Sequence, residues 1–239
     1  MKITKNKFDY FLLLAPGLIL FAVLIMLPIL LTIVYSFFKI SFLTNQFDYV
    51  GFKNFLKLLH KKDFYNSLQI VLTLTVIAVI FSNLIGIIFA KLFNKNNKIF
   101  IVLRVLIFTP FILSPIVVGY TFSSILTDNG ILNQTLAYFS INHTISWLGN
   151  SKYALVSISI ALCWQLVAFC TVIYLACLKN IPSELEDAVD IDGANNIQKF
   201  RYLDWPLLAP ALTINTVVIL ISSFKLYDRV LALTGGGPG

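Results

Sequence analysis

Charge is scarce in this 239-residue sequence. Asp, Glu, Lys and Arg make up 12% of it, about half the share of an average soluble domain. An ordinary soluble enzyme is excluded by that deficit, and so is a disordered chain, which needs the opposite bias. Histidine is limited to His60 and His143, and cysteine to Cys163, Cys170 and Cys177. No Cys/His spacing fits a metal site. The cysteines stand seven positions apart, so on one helix neighbours lie about 10 Å apart along the axis, too far for a disulfide. They read as small packing residues. The Gly-x-x-x-x-Gly-Lys-Ser/Thr phosphate loop does not occur, so the chain carries no ATP-hydrolysing loop of that type. With no nucleophile–base pair or metal cluster, enzymatic catalysis is the least favoured function class.

Apolar residues are abundant: 58% of the chain is hydrophobic and 14% aromatic, with a mean hydropathy of +0.86. That surface cannot be buried in one core of this size, so its solvent is lipid and the fold class is an all-α polytopic transmembrane helix bundle. A bilayer core of about 30 Å takes about 20 apolar residues as helix. Five runs qualify: 11–38, 67–93, 99–126, 153–178 and 207–224. The first is too long for a signal-peptide core and is a retained helix that tilts or bends, with Pro16 and Pro28 as bend points. In the third, Thr109-Pro110 and Ser114-Pro115 free backbone carbonyls that a neighbour must bond. The third helix is therefore expected to be irregular and packed inside the bundle. The fifth can continue through Leu233, which sets Lys225, Asp228 and Arg229 at i, i+3 and i+4, one acid facing two bases.

The polar segments fix an orientation. With residues 1–10 inside, ten basic residues fall on the cytoplasmic side and eight outside, and the short acid-free stretch holding Lys91, Lys95 and Lys98 is the better guide. The net charge of +7 thus serves membrane orientation, and nucleic acid is not an expected partner. Arg104 reads as snorkelling to the interface. The external segment 39–66 carries Phe52, Phe55, Leu56, Leu59 and Phe64 among lysines, the pattern of an amphipathic helix at the membrane surface. Segment 127–152 holds a turn signal, Asp128-Asn129-Gly130, and an interfacial aromatic, Trp147. Asn133-Gln134-Thr135 and Asn142-His143-Thr144 fit the glycosylation pattern, to which no function is attached.

Residues 179–206 stand apart, with six of the eleven acids. Ser183-Glu184-Leu185-Glu186 after Pro182 reads as a capping box, and the acids suit a helix N-terminus. Leu185, Ala188, Val189 and Ile191 supply an apolar face, and Gly193 ends the helix. Asn195 or Asn196 caps a second short helix bearing Ile197, Phe200 and Leu203. The result is a helix–turn–helix between two membrane runs: either a solvated surface loop or an element that docks a partner.

Asp187-Ala188-Val189-Asp190-Ile191-Asp192-Gly193-Ala194, followed by Leu203-Asp204-Trp205-Pro206, resembles the EAA loop of ABC-importer permeases, E-A-A, three residues, Gly, nine residues, then I-x-L-P. Asp187, Val189 and Leu203 are conservative departures from that pattern, and Trp205 is bulkier than its Leu. Gly51-Phe52-Lys53-Asn54-Phe55 is similar to the G-x-x-N-[FY] segment of the carbohydrate-uptake branch. Tyr227-Asp228 and Thr234-Gly235-Gly236-Gly237-Pro238 resemble that branch's F-D and T-x-G-G-P elements. The resemblance implies a type I ABC-importer permease fold in the bacterial cytoplasmic membrane, with the N-terminus and 179–206 cytoplasmic. Its core is 67–224, with 225–239 at the outer end of the last helix. A sixth core helix, implied after the Gly-Gly-Pro element, would follow Gly239.

The resemblance further implies a cytoplasmic ABC ATPase dimer that binds the ATP, a second homologous permease and an extracytoplasmic solute-binding protein; the chain itself needs no cofactor. ATPase docking falls to Glu184, Leu185, Asp187, Ala188, Val189, Ile191, Asp192, Gly193, Ala194, Leu203 and Pro206. Polar groups facing lipid are costly, so Asn83, Gln165 and Asn215 are expected to face the bundle interior. Tyr120, Trp164 and Phe224 are candidates to stack on a sugar ring. For all six the competing role is helix–helix adhesion. A secondary carrier or channel is disfavoured because the middle of every apolar run is free of acids. A truncated, non-transporting membrane component is the remaining alternative.

Overall fold

The computed structural model describes residues 7–41, 46–95, 97–139 and 145–237. The Asn142-His143-Thr144 triplet, Pro238 and the start of the N-terminal tail lie outside the described residues. The chain divides into two units, Met1–Ser67 and Leu68–Gly239.

In the first unit, α1 (Lys7–Phe21), a π-helical turn (Ala22–Met26) and α2 (Leu27–Tyr35) form one span. The wide turn comes just before Pro28, whose missing N–H and bulky ring disturb an ordinary α ladder. The span ends earlier than residue 38 because β1 (Phe38–Ser41) pairs antiparallel with β2 (Gln46–Tyr49), Phe38 opposite Tyr49. This hairpin lies ahead of the amphipathic stretch of 39–66 and was not expected from the sequence. Its physical basis is cross-strand aromatic pairing, with the Phe38 and Tyr49 rings 5.4 Å apart. Gly51, at φ +56°, turns the chain into α3 (Lys53–Leu59). The Asn54 side chain then donates to the carbonyls of Ser36 at 2.9 Å and Phe38 at 3.0 Å, holding α3 to the end of the span. The Phe37 ring packs on Phe52 and Phe55. The amphipathic segment is thus one short helix, and the next begins at Lys62.

That helix, α4 (Lys62–Phe93), leads into the second unit. Its C-terminus is closed by Arg104, which donates through Nε to the Phe93 carbonyl at 2.9 Å and through Nη2 to that of Lys95 at 2.8 Å. Arg104 therefore caps α4: the Phe93 carbonyl is a last-turn acceptor that needs a donor, and the guanidinium also bonds the Lys95 carbonyl just beyond it. The third run is two helices, α5 (Lys98–Ile112) and α6 (Pro115–Leu126), and the chain bends by 99° between α5 and the stretch Pro115–Tyr138. The break falls at Leu113-Ser114, where Pro115 cannot continue the ladder and the Ser114 hydroxyl accepts from the Val117 N–H. Interior packing is not what α5 shows: Pro110 is its only buried residue.

After α7 (Ile131–Tyr138), α8 (Ser151–Lys179) is the central helix, buried over much of its length. Its small residues allow close approach. A Cβ on Gly86 of α4 would meet the Cys170 Cβ at 2.6 Å. Asn133 organises the loop before α8, donating to the Ile145 carbonyl at 2.9 Å and accepting from the Trp147 indole at 3.0 Å. Three elements follow α8: α9 (Ser183–Ile191), α10 (Asn196–Lys199) and a π-helical turn (Phe200–Asp204) that runs into α11 (Trp205–Phe224). The fifth run does not continue; Lys225 closes α11 and α12 (Tyr227–Thr234) starts anew. Among the described residues Asp228 pairs with neither base. Arg229 turns inward, 5% exposed, because α12 packs on α6, where a Cβ on Gly119 would meet the Ala232 Cβ at 2.6 Å.

Candidate functional site

The segment between α8 and α11 is built from local signals. Pro182 is the N-cap of α9, so Ser183 is already helical and the capping box expected there does not form. Glu184 and Glu186 still lie in the first turn, where carboxylates oppose the helix dipole favourably. Gly193, at φ +72°, ends α9 as expected, with the Ala194 N–H reaching back to the Val189 carbonyl at 3.2 Å. The capping box forms instead at α10. Asn195 accepts from the Gln198 N–H at 2.9 Å and donates its own N–H to Gln198 Oε1 at 2.8 Å.

The six acids divide into two sets. Glu186 and Asp190 turn toward Lys199, whose Nζ lies 3.7 Å and 3.1 Å from them. Asp204 is buried and pairs with Lys91 of α4 at 2.8 Å. The hydrogen bond from Lys199 to Asp190 raises the lysine pKa above its ordinary value, aided by the charges of Asp190, Glu186 and Asp204. Glu184, Asp187 and Asp192 are exposed and pair with nothing among the described residues.

Between the outward acids runs a bare apolar stripe of Leu185, Ala188 and Ile191, with Ile191 85% and Ile197 78% exposed. Gly193 and Pro206 are exposed too, whereas Val189 and Ala194 are half-buried and Leu203 is buried. The residues expected to dock a partner thus separate into an outward face and an inward foot. Lys91 and Lys199, which fix the foot, were not singled out by the sequence; the excess of acids over bases in 179–206 was the signal for them.

The six membrane candidates also divide. Asn83, Gln165 and Asn215 are buried, as expected. Tyr174 donates to Asn83 Oδ1 at 2.6 Å, while the fully buried Asn215 amide makes no hydrogen bond among the described residues. Gln165 donates to the Leu113 carbonyl at 2.6 Å, at the break in the third run, and accepts from Arg229. The Asn83 and Gln165 amides are thus engaged in joining helices. The aromatic candidates do not converge on them. Tyr120 and Phe224 are 63% and 60% exposed. Trp164 stands edge-on to Phe122 at 5.5 Å and lines an apolar groove of about 550 Å³ between α4 and α8, with Phe81 and Phe89 on the opposite wall. That groove offers a hydroxylated solute few partners: Ser159, Cys163 and the indole of Trp164 are its polar or polarisable groups.

Known proteins resemble this chain in sequence and fold. The model of the binding-protein-dependent transport system inner membrane component family matches residues 82–239. The chain is 32% identical to the probable starch degradation products transport system permease protein AmyD of Thermoanaerobacterium thermosulfurigenes, over all of this chain and 80% of that protein. It is 30% identical to the trehalose/maltose transport system permease protein MalF of Thermococcus litoralis, over all of this chain and 81% of that one. A bacterial alginate ABC transporter, solved with an alginate pentasaccharide-bound periplasmic protein, shares the fold. Its TM-score is 0.80 at 19% identity, covering 96% of this chain and 77% of the other. By family match, full-length similarity and fold, the chain belongs to the binding-protein-dependent transport system inner membrane components, the permease subunits of ABC importers.

Proposed function

We propose that this permease forms, with a second homologous permease, the path by which a sugar or oligosaccharide enters the cell. The reading draws on relatives named for starch degradation products and for trehalose/maltose, and on the fold shared with an alginate transporter. An extracytoplasmic solute-binding protein delivers the solute. A cytoplasmic ABC ATPase dimer binds and hydrolyses the ATP, and the permease needs no cofactor of its own. The N-terminus and the segment 179–206 are cytoplasmic.

One observation carries the docking part: the Leu185, Ala188 and Ile191 stripe is uncovered, while the opposite side of α9 is tied down by Lys199. A rigidly footed helix with a bare apolar face fits a groove on another protein, as an amphipathic helix does in peptide recognition. Closure of the ATPase dimer then draws α9, and the attached membrane helices rock between inward- and outward-open states.

Replacing Ala188 with Glu buries an unpaired carboxylate in that contact, which is costly. The Ala188→Glu variant is expected to insert normally, lose the ATPase on purification and cease uptake. Wild-type uptake would overturn the docking role. Orientation has a separate test. In a background without the three native cysteines, Ile191→Cys should react with a membrane-impermeant thiol reagent only after the cells are opened. Labelling in intact cells would overturn it.

A further inference from the structure

The α9 helix has no buried residue. It is joined to α8 and α10 through the chain at its two ends; laterally it touches the π-helical turn, and Lys199 of α10 pairs with its Asp190 and Glu186. Displacement of α9 therefore passes along the backbone to α8 on one side and, through α10 and the π-helical turn, to α11 on the other. The α4 helix has no covalent connection to this segment. It is reached at Asp204, the last residue of the π turn, by the Lys91 ammonium at 2.8 Å; the same ammonium lies 4.5 Å from the centroid of the Phe200 ring.

Asp204 is 6% exposed. A carboxylate so placed holds its partner tightly, because separation leaves a buried charge unpaired. The cation–π contact makes the lysine bridge both ends of the turn. Asp204 stands at the unspecified position of the I-x-L-P pattern.

We infer that the Lys91–Asp204 pair is the positioning link through which movement of the α9 segment is delivered to α4, making Lys91 and Asp204 determinants of the coupling between ATP hydrolysis and solute movement. This rests on α9 docking the ATPase. Neither residue lies on the docking face, and the pair's role is to make α4 and α11 move together. Without it α4 still follows α8 through the Tyr174–Asn83 bond and the Gly86–Cys170 contact, but its Lys91 end is no longer tied to the start of α11, and the path fails to open in step with nucleotide turnover.

The test uses the assembled importer in proteoliposomes, measuring solute uptake and ATP hydrolysis together. Removing one charge alone risks misfolding, so the decisive variant is the doubly neutral Lys91→Met/Asp204→Asn, which leaves no buried unpaired charge. The ATPase should co-purify with it in normal proportion, while solute moved per ATP falls about fivefold or more, the lower end of a typical coupling between sites. Lys91→Arg and the exchanged pair Lys91→Asp/Asp204→Lys should recover the ratio. An unchanged ratio in the doubly neutral variant overturns the inference. Uptake and hydrolysis falling in proportion also overturns it, since that marks a merely structural pair. Failure of the ATPase to co-purify with the unaltered chain sinks the docking reading, and this inference with it, before any variant is made.

Discussion

The Tyr174 hydroxyl donates to Asn83 Oδ1 at 2.6 Å, joining α8 to α4 across 91 positions of sequence. The Asn83 amide returns its own hydrogen bond to the Val79 carbonyl at 2.8 Å, which fixes which way the side chain points. Tyr174 is fully buried, so no solvent replaces it. Tyr174→Phe leaves Asn83 Oδ1 unpaired and is expected to cost about 1 kcal/mol, in line with interhelical hydrogen bonds in membranes. Thermal unfolding in detergent measures this. An unchanged midpoint would show that the bond contributes nothing to stability.

The same seam is set by backbone proximity. Gly86→Val places a branched side chain where a Cβ alone meets Cys170 Cβ at 2.6 Å and the Cys170 carbonyl carbon at 3.3 Å. Overpacking of this kind costs about 1–3 kcal/mol. Yield of monodisperse protein should drop, and Cys170→Gly should restore part of it. Full yield from Gly86→Val alone would refute the tight seam.

In the first unit, Asn54→Ala removes both donors that hold α3 to the carbonyls of Ser36 and Phe38. At about 1 kcal/mol per bond, the hairpin–α3 segment should become sensitive to limited proteolysis while the α1–α2 span stays intact. Unaltered cleavage would mean that the Phe37, Phe52 and Phe55 contacts suffice alone.

Lys199 is protonated more persistently than an ordinary lysine, because Asp190 accepts its hydrogen bond. A raised folded-state pKa stabilises the fold fully below the ordinary lysine value, and the contribution is lost as pH rises through the raised one. On the lysine side the tether is therefore insensitive to pH through the physiological range and weakens as pH rises through the raised lysine value. Amine acylation at mildly alkaline pH, read by mass spectrometry, should be slow at Lys199 and faster in Asp190→Asn. Equal rates would contradict the tether.

Much of the architecture was legible because its signals are local. Apolar run length gave the spans, and the two prolines in 109–115 marked the third as irregular. The spacing from Asp187 to Pro206 identified the loop, and Gly193 and Asn195 end and start helices as their chemistry requires. Where Pro182 and Ser183 competed for one N-cap, the fixed proline took it. The remaining misses involve partners in other elements. The Arg104 cap depends on where Phe93 ends α4, and whether Arg229 faces Asp228 depends on α12 packing against α6. The four-residue strands are too short for alternation to stand out. At the site, the outward stripe followed from helical spacing, but its foot did not, because Lys91 is brought to Asp204 only by the packed bundle.

The break in the third run has a consequence for biogenesis. The Leu113 carbonyl receives its hydrogen bond from Gln165, a residue 52 positions later in the chain. During synthesis α5 and α6 emerge well before α8, so the corner between them is born with an acceptor whose partner does not yet exist, and hydrocarbon cannot supply one. The corner must therefore wait in a hydrated setting, or beside an insertion factor, until α8 arrives. Completion of this corner thus depends on a later helix and not on local helix formation alone.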